Sequence, residues 1–396
     1  MKRSYPDVLD QLVYILIALF TLDRFSKLAA VIHYFRRSLP PAPQVWPSIT
    51  LFQPITHGVS GLSASLRSRA KLDYPGAIQH LLICDAHDGE SQAECHALLT
   101  EFPELQASIV LVEANSGTIA SKTEKLLTAI PHATGAVFWF LDDDVALRPM
   151  AGRILIPYLY QPHVGAVFGL ACYTNWRTLW SSLMSGFVNA NALLSYIPLT
   201  YLTELFTITG HCFALRREIF QSAGGFEGLE RRIDDDHELA RRVRQIGLHC
   251  VQTPMIYDVD NDFDSLRSYT KQMKRWFIFP RQAMLPFLTV REQATSFICG
   301  IGNLLPGLLT LLVLITWRRS TLRALVTSLG LFSTVYALCQ ICYLKRRMPL
   351  LRWPLLPIVA LITPLQVLWA LLSDEEIEWR GQRLRIRRGG KMEVMP

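Results

Sequence analysis

Three long stretches without a charged residue, 294–317, 324–344 and 353–373, constrain the fold of this chain most strongly. Each has the length that a helix needs to cross the hydrocarbon layer of a membrane, roughly 20 apolar residues. Short clusters of arginine and lysine separate the three stretches. Helices buried in a soluble core are the alternative, but three such stretches in succession favour membrane helices. We therefore predict a C-terminal membrane region over 294–373.

The N-terminal segment 1–38 has a less regular pattern, but we predict that it is a fourth membrane helix. Residues 11–22 are uncharged, and the apolar pattern resumes after a charged interruption that includes Asp23 and Lys27. These two side chains are four residues apart, so on a helix they share a face and partly neutralise each other against neighbouring helices. A cleaved signal peptide is the alternative. No small-residue cleavage site follows the apolar stretch, which favours a retained anchor.

The net charge of +7 lies mostly beside the apolar segments, in particular at 271–281 and in the basic C-terminal tail, 374–396. Anionic lipid headgroups explain this placement better than nucleic acid does, so no nucleic-acid partner is expected. The tail alternates apolar and charged residues, a pattern compatible with a small hairpin against the headgroups. The only close pair among the eight cysteines, Cys339 and Cys342, lies in an apolar stretch without a second pair, so we interpret the cysteines as unpaired thiols.

Between a proline-rich linker at 40–47 and the membrane region, the segment 48–286 has the pattern of an α/β domain. Short apolar runs alternate with longer segments of helical spacing, which predicts right-handed crossovers and a mostly parallel sheet. The predicted strands are 49–52, 81–84, 109–112 and 137–141, and the predicted helices between them lie near 62–72, 94–102 and 121–130. In such a sheet, ligands bind beyond the carboxyl ends of the strands.

Two of the predicted strands end in acidic residues. The second strand is followed by Asp85 and Asp88, and the fourth by Asp142, Asp143 and Asp144. Single aspartates are common in turns, because their side chains bond to the local backbone. Three adjacent like charges after an apolar strand repel one another unless a cation lies among them, and Mg²⁺ or Mn²⁺ prefers carboxylate oxygens. The pattern therefore predicts a divalent-metal site that holds a diphosphate.

A third acidic group, Asp234, Asp235 and Asp236, precedes a helical pattern over 237–246. Acids at a helix N-terminus bind the first amides and complement the helix dipole, so capping alone is one interpretation. Three acids exceed what capping needs, and one of them in a cleft is placed to take a proton from an acceptor hydroxyl. On the sequence alone, both interpretations stay open.

Basic and aromatic residues interleave at helical spacing in the segment 272–280, which contains Gln272, Arg275 and Trp276. On its own, this segment is typical of an amphipathic helix at a membrane interface, with its cations at the headgroups and its aromatic rings in the acyl boundary. Its position after three acidic groups makes a role in the same site the alternative interpretation.

Taken in order, these motifs resemble the glycosyltransferase family that includes the ceramide glucosyltransferases. The family pattern is three spaced aspartate sites, then Q/R-x-x-R-W, then membrane helices. This chain has Asp85 or Asp88, then Asp142 to Asp144, then Asp234 to Asp236, then Gln272 to Trp276. The resemblance spans nearly the whole chain. It implies an α/β domain of the GT-A type that binds a nucleotide sugar, with one N-terminal and about three C-terminal membrane helices.

The resemblance also implies which residues bind the donor. The implied set is Asp85, Asp88, Pro54, Lys122, Asp142, Gln272 and Trp276. Within this set, Asp85 or Asp88 contacts the nucleotide. Mn²⁺ or Mg²⁺ on the donor diphosphate is held by Asp142 and Asp144, with Asp143 as the spacer between them.

For catalysis, the resemblance implies that Asp236 is the base that deprotonates the acceptor. Family members more usually have glutamate at the position of Asp235. This departure makes Asp235 the second candidate for the base. Arg275 supplies positive charge as the leaving group departs. The segment around His211 shows a weaker similarity to the family, and this histidine is also compatible with an ordinary interior position.

The implied activity is metal-dependent transfer of a sugar to a lipid hydroxyl with inversion, and UDP-glucose and ceramide are the leading substrates. A hopanoid-type lipid with a UDP-N-acetyl sugar and a processive polysaccharide synthase are alternatives. A processive synthase usually needs more membrane helices to form an export channel. A transporter or receptor with an inert soluble domain is an alternative of another class, but transport would favour ionisable residues within the C-terminal stretches, which have none.

We expect an integral membrane protein whose catalytic domain faces the cytoplasm, where nucleotide sugars are available. Four spans would place both termini outside, which conflicts with the basic tail under the positive-inside tendency. A re-entrant or interfacial C-terminal stretch would remove the conflict. The apolar stretch 187–206 either lines the entry path of the lipid or belongs to the core. The sequence predicts neither the type of membrane nor the oligomeric state.

Overall fold

An eight-stranded mixed sheet forms the centre of the α/β domain in a computed structural model, which describes residues 7–59, 61–115, 120–379 and 382–395. The strands are β1 (Ile49–Pro54), β2 (Ile78–Asp85), β3 (Ala107–Val112), β4 (Val137–Leu141), β5 (Val145–Leu147), β6 (Val164–Tyr173), β7 (Cys212–Arg216) and β8 (His249–Val259). Their order across the sheet is β3-β2-β1-β4-β7-β6-β8-β5. The four strands predicted from the sequence are β1 to β4, and each overlaps its predicted range.

The parallel half of the sheet places two acidic groups at one edge. Strands β3, β2, β1 and β4 lie side by side and parallel, whereas β7 is antiparallel to both β4 and β6. Because β2 and β4 flank β1 and run in the same direction, Asp85 and Asp142 leave the sheet at the same edge. The predicted mixed, mostly parallel α/β fold is confirmed.

The central strand β4 shows why the strands of this sheet are continuous apolar runs in the sequence. All five of its residues are buried, with Trp139 in the core on one face and Phe138 and Phe140 in the core on the other. Strands covered on both faces have no polar side. Burying one large apolar side chain of this kind contributes roughly 1.5–3 kcal/mol to folding.

Helices cover both faces of the sheet and form the membrane region. They are α1 (Val8–Arg36), α2 (Leu62–Ala70), α3 (Gly89–Glu101), α4 (Lys122–Ala129), α5 (Ala151–Leu159), α6 (Leu179–Asn191), α7 (Ile197–Leu199), α8 (Arg217–Ser222), α9 (Asp235–Gln245), α10 (Leu266–Phe279), α11 (Val290–Ile301), α12 (Leu305–Thr316), α13 (Arg319–Cys339) and α14 (Leu355–Leu372). Two of the helices that carry candidate site residues, α4 and α10, begin with capping boxes at Ser121 and Ser265. Such caps define where a helix starts.

Three helical segments of the described chain are long and apolar enough to cross a membrane: Val290–Thr316, Arg319–Leu344 and Leu350–Leu372. The first comprises α11 and α12 joined by a short turn, and each segment coincides with one of the three predicted stretches. Most residues in the apolar windows of these segments are not buried within the protein. Their outward-facing apolar side chains indicate that the protein associates with a membrane.

Helix α1 packs against the membrane helix α13 and turns its charged residues inward. Lys27 Nζ lies 3.2 Å from Asp23 Oδ1 and donates a hydrogen bond to the carbonyl of Cys299 at 2.7 Å. Arg24 is fully buried and bonds to Asp23 and Asn303. The structure therefore pairs Asp23 with Lys27 on one helix face, as predicted. Because of these charges, α1 is not among the three segments that are apolar enough to cross a membrane. Its role as a membrane anchor stays a prediction.

Both ends of α14 contact the α/β domain. Just before its first turn, the Arg352 guanidinium donates to the carbonyls of Trp176 and Arg177 at 3.1 and 2.6 Å. At its C-terminus, Arg281 Nη1 donates to the carbonyl of Ser373 at 2.9 Å. Both ends of α14 therefore lie beside the same domain. The interpretation of a C-terminal stretch as re-entrant or interfacial stays a prediction.

The C-terminal tail forms a small antiparallel sheet of β9 (Glu376–Trp379), β10 (Gln382–Ile386) and β11 (Met392–Val394). The predicted hairpin is therefore present, although its turn at 380–381 lies outside the described residues. Its apolar side chains pack against Ile278 of α10 and Ile233. The tail thus packs against the α/β domain, and its contact with headgroups stays a prediction.

Candidate active site

The second and third acidic groups meet around one lysine. Lys122 Nζ at the start of α4 lies 2.6 Å from Asp142 Oδ1 and 4.0 Å from Asp235 Oδ2, and it donates to the carbonyl of Gly210 at 2.9 Å. Burial opposes ionisation, but the neighbouring basic side chains, chiefly Lys122, together hold the pKa of Asp142 below its usual range. In return, the carboxylates keep the pKa of Lys122 above its usual value despite burial. The structure therefore joins two motifs that are more than ninety residues apart in sequence.

The three aspartates after β4 diverge. Asp143 Oδ2 accepts a hydrogen bond from the Thr56 amide at 2.7 Å, toward the loop after β1. Asp144 is 8% exposed, and its buried Oδ1 has no hydrogen-bond partner among the described residues. Burial, together with the charges of Asp143 and Asp142, raises the pKa of Asp144 well above its usual value. A buried, unpartnered carboxylate oxygen beside two more acids is the environment that a bound cation would relieve.

The described residues contain no group of three His, Cys, Asp or Glu side chains that could hold a metal ion by themselves. Asp142 and Asp144 supply two carboxylates, which suits a cation that takes its remaining ligands from substrate phosphate and water. Hard divalent cations prefer such all-oxygen sites. The donor set therefore fits Mg²⁺ or Mn²⁺ bound together with a diphosphate.

Asp236 lies in the first turn of α9 and is held by two backbone amides. Its Oδ2 accepts from Gly210 at 3.0 Å and its Oδ1 from His237 at 2.7 Å. A Cβ atom at position 210 would lie 2.8 Å from Oδ2, so this close approach requires glycine. Burial, reinforced by the neighbouring Asp235 charge, raises the pKa of Asp236 to about 7. A carboxylate with that pKa is suited to accept a proton near neutral pH.

The other two acids at the start of α9 have different environments. Asp234 is fully buried, and the Arg232 guanidinium donates to both of its oxygens at 2.9 and 2.7 Å. The Asp234 side chain makes no capping bond to the helix. Asp235 faces Lys122, and burial raises its pKa. Capping alone therefore does not account for this acidic group.

The residues of the Q-x-x-R-W motif lie on α10, and Arg275 lies beside the same acids. Arg275 Nη2 donates to Gln272 Oε1 at 2.9 Å. The Arg275 guanidinium also contributes, after the larger effect of Lys122, to the low pKa of Asp142. The Trp276 ring meets the ring of Tyr173 edge-on, with centroids 6.2 Å apart. This helix thus lies beside the acids, and its role at the membrane interface stays a prediction.

The first acidic group lies farther along the sheet edge. Asp85 pairs with the buried Lys125 at 2.6 Å and accepts from the Ala120 amide at 2.6 Å. Asp88 caps α3 and bonds to His57 Nδ1 at 2.9 Å, whereas its buried Oδ2 has no partner among the described residues. Pro54 ends β1, the strand between β2 and β4. Within the described part of the chain, Asp85 and Asp88 bond to Lys125, Ala120 and His57 and not to Lys122, so the predicted donor-binding set occupies two neighbouring parts of one edge.

Two tyrosines near these acids were not predicted from the sequence, because nothing marks them except their place near the ends of apolar strands. Tyr173 ends β6 and Tyr257 lies in β8, and both flank His211, with ring centroids 6.3 and 6.5 Å away. Tyr257 Oη and His211 Nδ1 are buried without a hydrogen-bond partner among the described residues. Burial also lowers the pKa of His211, so this ring is neutral. The pocket therefore offers unused polar groups that a ligand can engage.

An α/β domain with carboxylates at its sheet edge and apolar helices attached is the arrangement that the motifs of this sequence implied for a membrane-associated glycosyltransferase of the GT-A class. The sequence profile of glycosyl transferase family 21 matches residues 12–392, nearly the whole chain. This protein therefore belongs to glycosyl transferase family 21, which confirms the resemblance inferred from its motifs.

A curated relative and a solved structure are similar to this chain. The probable glycosyltransferase YdaM of Bacillus subtilis (strain 168) is 22% identical over 269 residues, which are 65% of this chain and 62% of that protein. The chain thus spans less than two-thirds of that relative. The mannosyltransferase PcManGT from Pyrobaculum calidifontis, in complex with GDP-Man and Mn²⁺, superposes with a TM-score of 0.50 at 16% identity, over 91% of this chain and 99% of that one. The latter similarity supports the shared fold.

Proposed function

We propose that this protein transfers a sugar from a UDP-linked donor to the hydroxyl of a membrane lipid, with inversion at the anomeric carbon. The single observation that carries the proposal is the cluster of charged side chains at the sheet edge. It brings Asp142, Asp144, Asp236 and Arg275 together, and α10, which bears Arg275, packs against α14 of the membrane region. Glucose as the sugar and ceramide as the lipid are the leading substrates, by resemblance to the ceramide glucosyltransferases.

Asp142 and Asp144 would hold the divalent metal, either Mn²⁺ or Mg²⁺. When bound, the metal supplies positive charge that stabilises the diphosphate as a leaving group. The unpartnered Oδ1 of Asp144 supports this assignment. The described bond of Asp143 to the Thr56 amide supports its place as the spacer. The complex of PcManGT with GDP-Man and Mn²⁺ makes a nucleotide sugar and a divalent ion reasonable first ligands to test.

The remaining steps fall to side chains of the protein. Asp236 takes the proton of the acceptor hydroxyl, and its raised pKa makes it a stronger base than an exposed aspartate. Arg275, anchored on Gln272, supplies positive charge to the departing diphosphate from α10. A base on one side of the anomeric carbon and a stabilised leaving group on the other gives inversion.

The acceptor would reach the pocket along α6 and the π-helical turn that follows it. Phe187, Asn191 and Leu194 of this segment line a cavity shared with α1 and α12. On the same stretch, Tyr196 lies within electrostatic reach of Asp236. These positions support the interpretation of 187–206 as part of the lipid path.

For orientation, we propose that the α/β domain and the basic tail both face the cytoplasm. Asp7 at the start of α1 pairs with Arg318 at 2.7 Å, between α12 and α13, whereas Tyr34 at its end bonds to Gln252 of β8. Helices α1, α11 with α12, and α13 would then cross, and α14 would not. The basic tail would lie inside, in agreement with the positive-inside tendency.

Terminal epitope tags test this orientation. In sealed membrane vesicles treated with an external protease, we expect the C-terminal tag to be digested or protected together with the α/β domain. The N-terminal tag should show the opposite behaviour. Equal accessibility of both termini would contradict the proposed topology and restore four crossings.

The function is tested by transfer assays on the detergent-purified protein. A panel of UDP-sugars is offered with ceramide and hopanoid acceptors, with Mn²⁺, with Mg²⁺ and with EDTA. We expect metal-dependent formation of a glycolipid from UDP-glucose and ceramide. Preference for a UDP-N-acetyl sugar and a hopanoid would replace the substrates but keep the reaction, and long sugar polymers would indicate a processive synthase. No turnover of any donor and no metal-dependent UDP binding would refute the enzyme assignment.

A further inference from the structure

The chain segment just before the acids of α9 is hydrogen-bonded to the C-terminal tail. The Ile233 amide donates to the Gly390 carbonyl at 3.0 Å, and the Met392 amide donates to the Arg231 carbonyl at 2.9 Å. Arg232 and Lys391 form an antiparallel bridge between these two bonds. The tail therefore adds a short strand pairing directly beside the three aspartates.

The same tail is attached to α10 and the turn that follows it. Its buried apolar side chains, from Ile377, Leu384 and Ile386, pack on Ile278. Two polar contacts reinforce this packing, since the Gly389 amide donates to the Gln282 carbonyl at 2.8 Å and Gln282 Nε2 donates to Glu375 at 2.7 Å. The small sheet thus bridges the helix of the base and the helix of Arg275.

The tightest point of the bridge is Gly390. Its φ of +79° lies in the left-handed region, and a Cβ atom there would lie 2.1 Å from Asp234 Oδ1. Asp234 is fully buried and both of its oxygens accept from Arg232, so a shift of its side chain disturbs these bonds. A side chain at position 390 therefore pushes apart the Asp234 carboxylate and the tail, next to the turn that carries Asp235 and Asp236.

We propose that the C-terminal sheet is a positioning element that fixes Asp236 relative to Arg275, and that Gly390 is a positioning residue within it. This inference rests on the proposed function for its kinetic readout. The sheet contains no group assigned to the chemistry, so it acts through the placement of the base and of the arginine. Misplacement of a reacting group by about 1 Å costs roughly 10²-fold in rate.

The neighbouring glycine provides a matched control. Gly389 also has a left-handed φ, +89°, but a Cβ atom there would meet only Phe287 Cζ, at an ordinary 3.7 Å. Gly389→Ala and Gly390→Ala therefore introduce the same backbone strain. Only Gly390→Ala pushes against Asp234.

The test compares these two variants in the full-length protein. We expect Gly390→Ala to lower kcat by roughly 10- to 100-fold while the donor KM changes by less than about twofold. Gly389→Ala should stay within about twofold of the wild-type kcat. Asp234→Ala in the Gly390→Ala background removes the oxygen that the new methyl group meets, so part of kcat should return relative to Gly390→Ala. Absence of recovery, or equal losses in the two glycine variants, would overturn the positioning role.

Hydrogen exchange supplies a readout that does not depend on activity. In Gly390→Ala, the amides of 234–240 should exchange faster than in Gly389→Ala, whereas the amides of β4 should not change. If the wild-type protein transfers no sugar, the proposed function fails. The exchange comparison then decides by itself whether the tail holds the start of α9 in place. Identical exchange over 234–240 in both variants would show that the tail does not hold the base.

Discussion

Asp236→Asn is expected to lower kcat for sugar transfer by roughly 10²- to 10⁴-fold, the usual contribution of a positioned general base. Asparagine has nearly the same shape, but its single oxygen accepts from only one of the Gly210 and His237 amides, which bond to different oxygens of Asp236, and it does not accept the acceptor proton. Binding of UDP and metal should change little, because those ligands are assigned to other side chains. The measurement is single-turnover transfer together with metal-dependent UDP binding, using the best donor and acceptor from the panel.

The matched control for this variant is Glu218→Gln, the same chemical change at an exposed acid. Glu218 lies in the first turn of α8, pairs with Arg216 at 2.9 Å and is 69% exposed. Its replacement should leave kcat within about twofold, because exposed ion pairs contribute little. If Asp236→Asn retained wild-type kcat while Asp235→Asn did not, the base would be Asp235.

The wild-type protein provides a second measurement of the same group. Because burial raises the pKa of Asp236 to about 7, the carboxyl is largely protonated below that pH and does not accept a proton. The rate should therefore fall as the pH drops through 7 and reach a plateau above it. A rate that stays constant down to pH 5 would contradict a base in this environment.

The local features of this fold follow from short-range patterns in the sequence. Strands β1 to β4 are apolar runs bounded by turns, and helix α9 begins at acids and ends near arginines, as the helix dipole favours. The three apolar stretches predict their helices because length and lack of charge suffice. None of these features depends on a distant partner, and so the sequence alone was enough to predict them.

The features that the sequence did not predict all depend on distant partners. Nothing near Gly390 indicates that it lies against Asp234, more than 150 residues earlier. The three acids Asp234, Asp235 and Asp236 have different contacts. These contacts depend on Arg232, Lys122 and the Gly210 amide, which only the fold brings together. The extent of the antiparallel pairing in the sheet is also a property of strand order, which periodicity does not contain.

The tail forms the predicted hairpin, but the sequence did not predict what covers its apolar side chains. Its alternating charges indicated contact with headgroups, whereas its apolar side chains pack on α10 and on Ile233. Alternation shows that a strand has one buried face, but it does not identify what buries that face. The contacts at both ends of α14 bring the tail back to the α/β domain, and the topology with three crossings proposed above removes the conflict between span number and basic charge.

Asp144→Asn is expected to remove most of the metal dependence of the reaction. Even partners outside the metal's own ligands are worth roughly 10- to 100-fold in metal affinity, so loss of a carboxylate ligand should raise the half-maximal Mn²⁺ concentration by at least that factor. Transfer at a fixed Mn²⁺ concentration should fall by roughly 10²-fold or more, because the leaving diphosphate loses its stabilisation. Titration of transfer and of UDP binding with Mn²⁺ measures both effects.

Thermal unfolding separates this outcome from simple misfolding, because the expected signs are opposite. Burial and two neighbouring charges raise the pKa of Asp144. Its ionised form therefore destabilises the metal-free folded state at neutral pH, where the unfolded carboxyl ionises freely. Asp144→Asn should thus raise Tm without metal and abolish the increase in Tm that Mn²⁺ with UDP gives the wild type.

Asp143→Asn is the matched control, since its carboxylate is directed to the Thr56 amide. That variant should keep the Mn²⁺-dependent increase, and if it lost the increase while Asp144→Asn kept it, the assignment of Asp144 as a metal ligand would be wrong.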